Sequence, residues 1–196
     1  MAHHDRFDPD RFVEDCRRAL ADDSPRHAVH EVVARAVADP AGIDAALGVP
    51  ERPGLHPLHA APDLTVIRVV WGPRMVLRPH DHTMWAAIGI YSGREDNTLW
   101  RPMPDDPQGR IEAAGALSLG PGRATVFGVD AVHSVVNPLD RMTGALHVYG
   151  GDFFHRDGSE WSPEDLSRLP LDIDRVRAEF DRSARLMDLM AAAPAA

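Results

Sequence analysis

Between residues 64 and 149 the chain breaks into short β-rich runs, each closed by glycine or proline. No other feature constrains the fold as strongly. The runs cover 64–71, 75–77, 84–91, 98–101, 116–119, 124–129, 132–137 and 144–149. Gly72-Pro73, Gly93, the proline-bearing 102–109 segment, Gly120-Pro121-Gly122 and Pro138 separate them. β-Branched and aromatic residues suit a pleated, half-buried surface. Many short strands with turn signals between them predict an antiparallel sandwich or barrel. The expectation is a mainly β chain built on a jelly-roll barrel, which could hold a metal in its mouth.

Helical patterns flank this region. Asp8-Pro9 and Ser24-Pro25 each place a capping residue before a proline at the first helical position. Phe12, Cys16, Ala19 and Leu20 recur at helical spacing, and Val29, Val32, Val33, Ala36 and Val37 form an apolar stripe. A short helix is expected through Ile43 and Leu47, and the proline-rich 50–62 segment reads as loop. After Phe154, Ser162-Pro163-Glu164 is expected to open a helical turn. Ile173, Val176, Phe180, Leu186 and Met190 then fit a terminal amphipathic helix, with a frayed alanine-rich tail. The chain thus reads as a single domain over 1–196, with helical segments at 1–50 and 160–191 around a barrel core at 63–155.

The net charge of −9, with no basic block, argues against nucleic acid or an anionic membrane as partner. No apolar run approaches the roughly 20 residues of a membrane span. Cys16 is the single cysteine, so no intramolecular disulfide can form, and it reads as core on a helix face. MAHHDRFDPD holds no apolar leader, and a cytoplasmic monomer or homodimer is expected.

The chemistry-bearing pattern is His80-Asp81-His82, followed about fifty residues later by His133. Residues two apart on a strand face the same side. Two imidazoles at that spacing and a third from a distant strand can cap one face of a divalent metal. Imidazole suits iron, copper, nickel and zinc, and three protein ligands leave positions open for chemistry. Ala86 and Ala87 stand where many such barrels add a glutamate, so the site reads as neutral, needing an anion from its substrate. Glu95 falls in Arg94-Glu95-Asp96-Asn97, which reads as a solvated hairpin tip, an inward extra ligand being the alternative. Asp81 points away from its histidine neighbours. His56, His59 and His155 read as surface or structural residues.

These residues resemble the cysteine dioxygenase (thiol dioxygenase) family of the cupin superfamily. The shared motifs are Trp71-Gly72, His80-Asp81-His82-Thr83, the turn glycine Gly93 with Thr98-Leu99-Trp100, His133 opening the run to Asn137-Pro138, and His147-Val148-Tyr149. They cover about residues 64–155. The resemblance implies a cupin double-stranded β-helix and a mononuclear Fe(II) held by His80, His82 and His133. It also implies a small thiol, cysteine or 3-mercaptopropionate-like, oxidised by O2 to a sulfinate. Tyr149 would stand near bound oxygen or the substrate carboxylate, with His147 holding its hydroxyl.

The chain departs from the family in three ways. A thioether crosslink to the tyrosine needs a cysteine at Ala86 or Ala87, so none can form. Ala145 replaces the serine of the Ser-x-His-x-Tyr relay. The carboxylate-binding arginine falls where the correspondence fails: Arg52 is nearest in position, while Arg68 and Arg78 lie closer to strand edges. Trp85, directly after the metal motif, either walls the pocket or packs under a helix. Two other readings are a three-histidine metal cupin oxygenase with a different substrate and a non-enzymatic metal-binding cupin.

Overall fold

The computed structural model describes residues 6–192. The His3-His4 pair and the end of the alanine-rich tail lie outside the described residues. Three helices come first: α1 (Pro9–Ala19), α2 (Pro25–Val37) and α3 (Pro40–Leu47). The Asp8 carboxylate accepts from Arg11 N at 2.8 Å and Asp39 from Gly42 N at 3.1 Å, so the α1 and α3 starts are side-chain capped. Ser24 makes no such bond at the start of α2.

The strands are β1 (Gly54–Ala60), β2 (Thr65–Trp71), β3 (Val76–Asp81), β4 (Ala86–Ser92), β5 (Glu95–Pro102), β6 (Ile111–Leu119), β7 (Arg123–Phe127), β8 (Val132–Val136), β9 (Thr143–Tyr149), β10 (Ser159–Trp161) and β11 (Arg168–Pro170). They form two antiparallel sheets, ordered β1-β2-β9-β4-β7 and β11-β10-β3-β8-β5-β6. The pairing is nested: β5 with β6, β4 with β7, β3 with β8, β2 with β9. A long hairpin whose successive strand pairs alternate between two sheets is a double-stranded β-helix, the jelly-roll arrangement.

Alternation along β2, β4 and β9 sorts their side chains into two cores. Ile67, Val69, Trp71, Ala86, Ile88, Ala145 and Tyr149 face the barrel interior. Val66, Ala87, Leu146 and Val148 face outward, against Phe12, Cys16, Val29, Val33 and Val37 of α1 and α2. Both faces of these strands are therefore dry. Gly89 lets α2 approach β4, since a Cβ there would stand 2.6 Å from Val33 Cγ1. The last helix, α4 (Ile173–Ala192), sends Val176 and Phe180 into the barrel core, with the Phe180 ring tilted against Trp71 at 5.1 Å. Among the described residues no helix is long and apolar enough to cross a membrane.

Two local expectations are corrected. The 50–62 segment is not all loop, because β1 adds to the edge of the first sheet through β2. Pro57 is tolerated because an edge strand has one side free of ladder bonds, and the register shifts between Pro57 and His59. Ser162-Pro163-Glu164 forms a turn rather than a helix, linking the short strands β10 and β11. The Ser162 hydroxyl there accepts from Glu164 N at 3.2 Å, the local side-chain bonding that favours turns.

Candidate metal centre

His80 lies directly opposite His133 in the β3–β8 ladder. His82 follows the end of β3, where Thr83 adopts a positive φ of 55° and turns the chain. All three imidazoles are buried, and one nitrogen from each lies within 4.8 Å of the others. His80 Nδ1 is 3.0 Å from the Arg78 carbonyl, and His133 Nδ1 is 2.6 Å from Asn97 Oδ1. Both contacts put the proton on Nδ1 and leave the Nε2 lone pair facing the interior.

His82 Nε2 and His133 Nε2 face each other at 3.1 Å. Two nitrogens about 2.1 Å from one metal ion and a right angle apart would be separated by about 3 Å. The donor set therefore fits a divalent ion with three neutral nitrogens on one face. Burial holds the ring nitrogens in their neutral, ligating form. It lowers His80 from the ordinary 6.5 to about 4, and it lowers His82 and His133 well below 6.5.

Tyr149 and His147 share the inward face of β9. The Tyr149 hydroxyl lies 2.9 Å from His147 Nδ1, and its ring meets His82 edge-on at 5.1 Å. Burial pushes the Tyr149 phenol well above its ordinary value, so it stays protonated. Phe153 stacks on Tyr149 at 4.3 Å, and the Arg156 guanidinium lies over the Phe153 ring at 5.0 Å.

Arg156 lines the same cavity as the three histidines. Its side chain is 5% exposed, yet Nε and Nη1 have no hydrogen-bond partner. Asp81 Oδ1 stands off at 3.7 Å and is engaged by Ser159 N at 3.0 Å. Burial lowers the Arg156 pKa, the cost of a desolvated cation that Asp81 only partly offsets. The remaining wall is apolar: Leu55, Val69, Trp71, Leu77, Val135, Val176 and Phe180.

The arginines expected at the site are elsewhere. Arg52 is exposed and forms a two-bond pair with Asp188 of α4, at 2.9 and 3.0 Å. Arg68 donates to Tyr91 and to the Leu47 and Gly48 carbonyls, anchoring the end of α3. Arg78 pairs with Glu160. Trp85 packs with the outer core and over Gly150 rather than against the cavity. His155 is exposed beside Asp152.

Glu95 is not solvated. It is wholly buried, accepting from Trp71 Nε1 at 2.8 Å and Asn97 Nδ2 at 3.1 Å. Sequence reasoning passed over Asn97 and Arg156. The alternation along β5, which puts Glu95 and Asn97 on one face, was a usable signal for the first. Nothing local marked Arg156.

No family model matches the chain. Among solved structures it is similar to a Klebsiella pneumoniae protein with a double-stranded beta-helix domain, at 14% identity and a TM-score of 0.41, over 52% of this chain and 74% of that one. It is similar to a DMSP lyase at 22% identity and a TM-score of 0.38, over 50% of this chain and 44% of that one. A Bacillus subtilis oxalate decarboxylase mutant gives 19% identity and a TM-score of 0.38, over 48% of this chain and 22% of that one. The chain spans less than half the length of either enzyme, and neither activity is carried across.

Proposed function

We propose that this chain is an iron-dependent dioxygenase that converts a small thiol carboxylic acid into the corresponding sulfinate, within the cupin superfamily. The observation that carries the reading is a neutral three-histidine face sharing one cavity with the Arg156 guanidinium, whose Nε and Nη1 make no hydrogen bond. Three neutral ligands leave the charge of a divalent ion uncompensated, and a thiolate is the anion that would balance it. The Arg156 guanidinium would receive the carboxylate at the other end of the same molecule, where a two-point contact fixes orientation.

A bound Fe(II) ion supplies acidity that favours thiolate over thiol and a redox partner for O2. The chain's own groups do the rest. His80, His82 and His133 would hold the ion. Tyr149, 2.9 Å from His147 Nδ1, would donate its hydroxyl proton to that nitrogen and hold its ring beside His82. Phe153, Val176 and Phe180 help exclude water. The balance is one thiol plus one O2 giving one sulfinate and one proton: sulfur gains two S–O bonds and both oxygen atoms, and the S–H proton leaves.

Among the described residues no carboxylate lines the cavity, so a substrate ammonium would find no anion in that lining. This favours a 3-mercaptopropionate-like acid over cysteine. The test is O2 uptake by protein loaded anaerobically with Fe(II), against a panel of small thiols, with products weighed by mass spectrometry. A gain of two oxygens on a thiol acid is expected. Tightly held iron with no uptake on any thiol would transfer the reading to a metal cupin oxygenase of another substrate. No retained iron would leave a non-enzymatic cupin.

A further inference from the structure

Glu95, on β5, faces two hydrogen-bond chains that both end in the metal centre. Along one, Asn97 Nδ2 donates to Glu95 Oε1 at 3.1 Å, and Asn97 Oδ1 is 2.6 Å from His133 Nδ1. Along the other, Glu95 Oε2 faces His147 Nε2 at 3.5 Å, and His147 Nδ1 meets the Tyr149 hydroxyl at 2.9 Å. The His147 contact is long, and that nitrogen has no hydrogen-bond partner within ordinary limits. Trp71 Nε1 also donates to Oε2, at 2.8 Å. Two N–H groups thus donate to the carboxylate, a ring nitrogen of His147 stands at 3.5 Å from it, and all of these side chains are buried.

We propose that Glu95 is the positioning residue of this site: an acceptor-only carboxylate that sets the direction of both chains and so keeps the His133 Nε2 lone pair available to a metal ion. The logic follows from which groups can reverse. Because Glu95 only accepts, Asn97 must turn its amide nitrogen toward it. Asn97 then presents its oxygen to His133, the His133 proton sits on Nδ1, and Nε2 is free to ligate. On the other chain, a proton on His147 Nε2 faces Glu95, which leaves Nδ1 to accept from Tyr149. Glu95 therefore occupies the place left vacant by Ala145 in the shortened relay. It reaches the histidine from β5 rather than from β9. The inference rests on the three-histidine metal site of the proposed function and not on thiol oxidation.

Glu95→Gln separates this role from packing. The indole N–H of Trp71 can only donate, so the new amide must turn its oxygen toward Trp71 and His147. Its NH2 then faces Asn97, which must flip and offer its own NH2 to His133 Nδ1. That moves the His133 proton onto Nε2, where the ion would bind, while His147 is unaffected. Adding Asn97→Asp to the same protein supplies acceptors to both the introduced amide and His133 and restores the original direction.

The experiment is Zn(II) and Co(II) affinity by chelator competition, with histidine tautomers read by 15N NMR on metal-free protein. The wild type is expected to show His133 protonated on Nδ1 and His147 on Nε2. Glu95→Gln is expected to weaken metal binding roughly tenfold or more, to move the His133 proton to Nε2 and to leave His147 unchanged. The double variant is expected to recover most of the affinity. Wild-type affinity with an unchanged His133 tautomer in Glu95→Gln would overturn the proposal, as would a double variant no better than the single one. Should Glu95→Gln not fold, Asn97→Ala carries the test: loss of the His133 Nδ1–H preference and of affinity supports the proposal, and neither loss overturns it. A protein that holds metal as expected but oxidises no thiol removes the dioxygenase reading and leaves this one standing.

Discussion

His80 and His133 stand opposite one another across the β3–β8 ladder with ring centroids 4.7 Å apart. This cross-strand relationship converts a local sequence spacing into a three-dimensional site. His80 and His82 come together through chain geometry alone, with rings 5.1 Å apart. The third nitrogen arrives only because the nested hairpin folds β8 back onto β3. A third ligand placed by sheet pairing on both flanks, against β3 and β5, has little freedom to move.

Removing that ligand should therefore abolish metal retention rather than shift it. Two imidazoles are left against bulk water, so His133→Ala is expected to weaken Fe(II) binding by more than about 100-fold, beyond the 10- to 100-fold typical of losing an outer partner. Metal content after gel filtration in the presence of a weak chelator is the measurement. Full retention would show that His133 is not a ligand.

Arg156→Met tests the proposed carboxylate contact. Hydrogen bonds to charged groups contribute about 1.5–3 kcal/mol, so kcat/KM for a thiol acid is expected to fall roughly 10- to 100-fold. A thiol of equal length lacking the carboxylate should be little affected. Thermal stability should hold or rise, because the substitution removes a buried cation whose Nε and Nη1 have no partner. A large loss of stability would mean that Arg156 serves the fold and not a ligand.

The parts of this site legible in the sequence are those fixed by short-range geometry. Histidines two apart, an aspartate or serine before proline at the α1 and α2 starts, and glycines between β-rich runs act within a few residues. What escaped reading depends on register. Arg156 reaches the cavity because β10 adds to β3 and Asp81 accepts from Ser159, contacts some 78 residues apart in sequence. Glu95 sits in Arg94-Glu95-Asp96-Asn97, where composition alone suggests a solvated tip. The β5–β8 pairing instead sets Asn97 opposite Val135 and buries it together with Glu95. β1 was hidden because prolines argue against strands unless the strand is known to be an edge.

The close seating of α2 on β4 gives a stability prediction independent of the metal. A Cβ at Gly89 would lie 2.6 Å from Val33 Cγ1 and 2.8 Å from Val37 Cγ1, both on a helix packed against the sheet. Overpacking of this kind costs about 1–3 kcal/mol. Gly89→Ala is expected to lower the midpoint of thermal unfolding by roughly 2–10 °C and to leave metal content per folded chain unchanged. An unaltered midpoint would show that α2 is not held against β4 in solution.

The metal-free protein should lose stability as pH falls, over a window set by the ligand histidines. Burial holds His80 at about 4 in the folded state against 6.5 when free, and it holds His82 and His133 down as well. The unfolded chain therefore binds more protons than the folded one below about pH 6.5, and stability falls as pH drops through that value. It continues to fall until the folded-state pKa values are reached. His80 alone contributes about 3 kcal/mol over this range. Denaturant unfolding of chelator-treated protein between pH 8 and pH 4.5 measures it. The expected profile is flat above pH 7 and declines steadily below 6.5, with the decline reduced in His80→Gln. A flat profile down to pH 5 in the wild type would mean that the imidazoles are solvated and that no closed metal cavity forms.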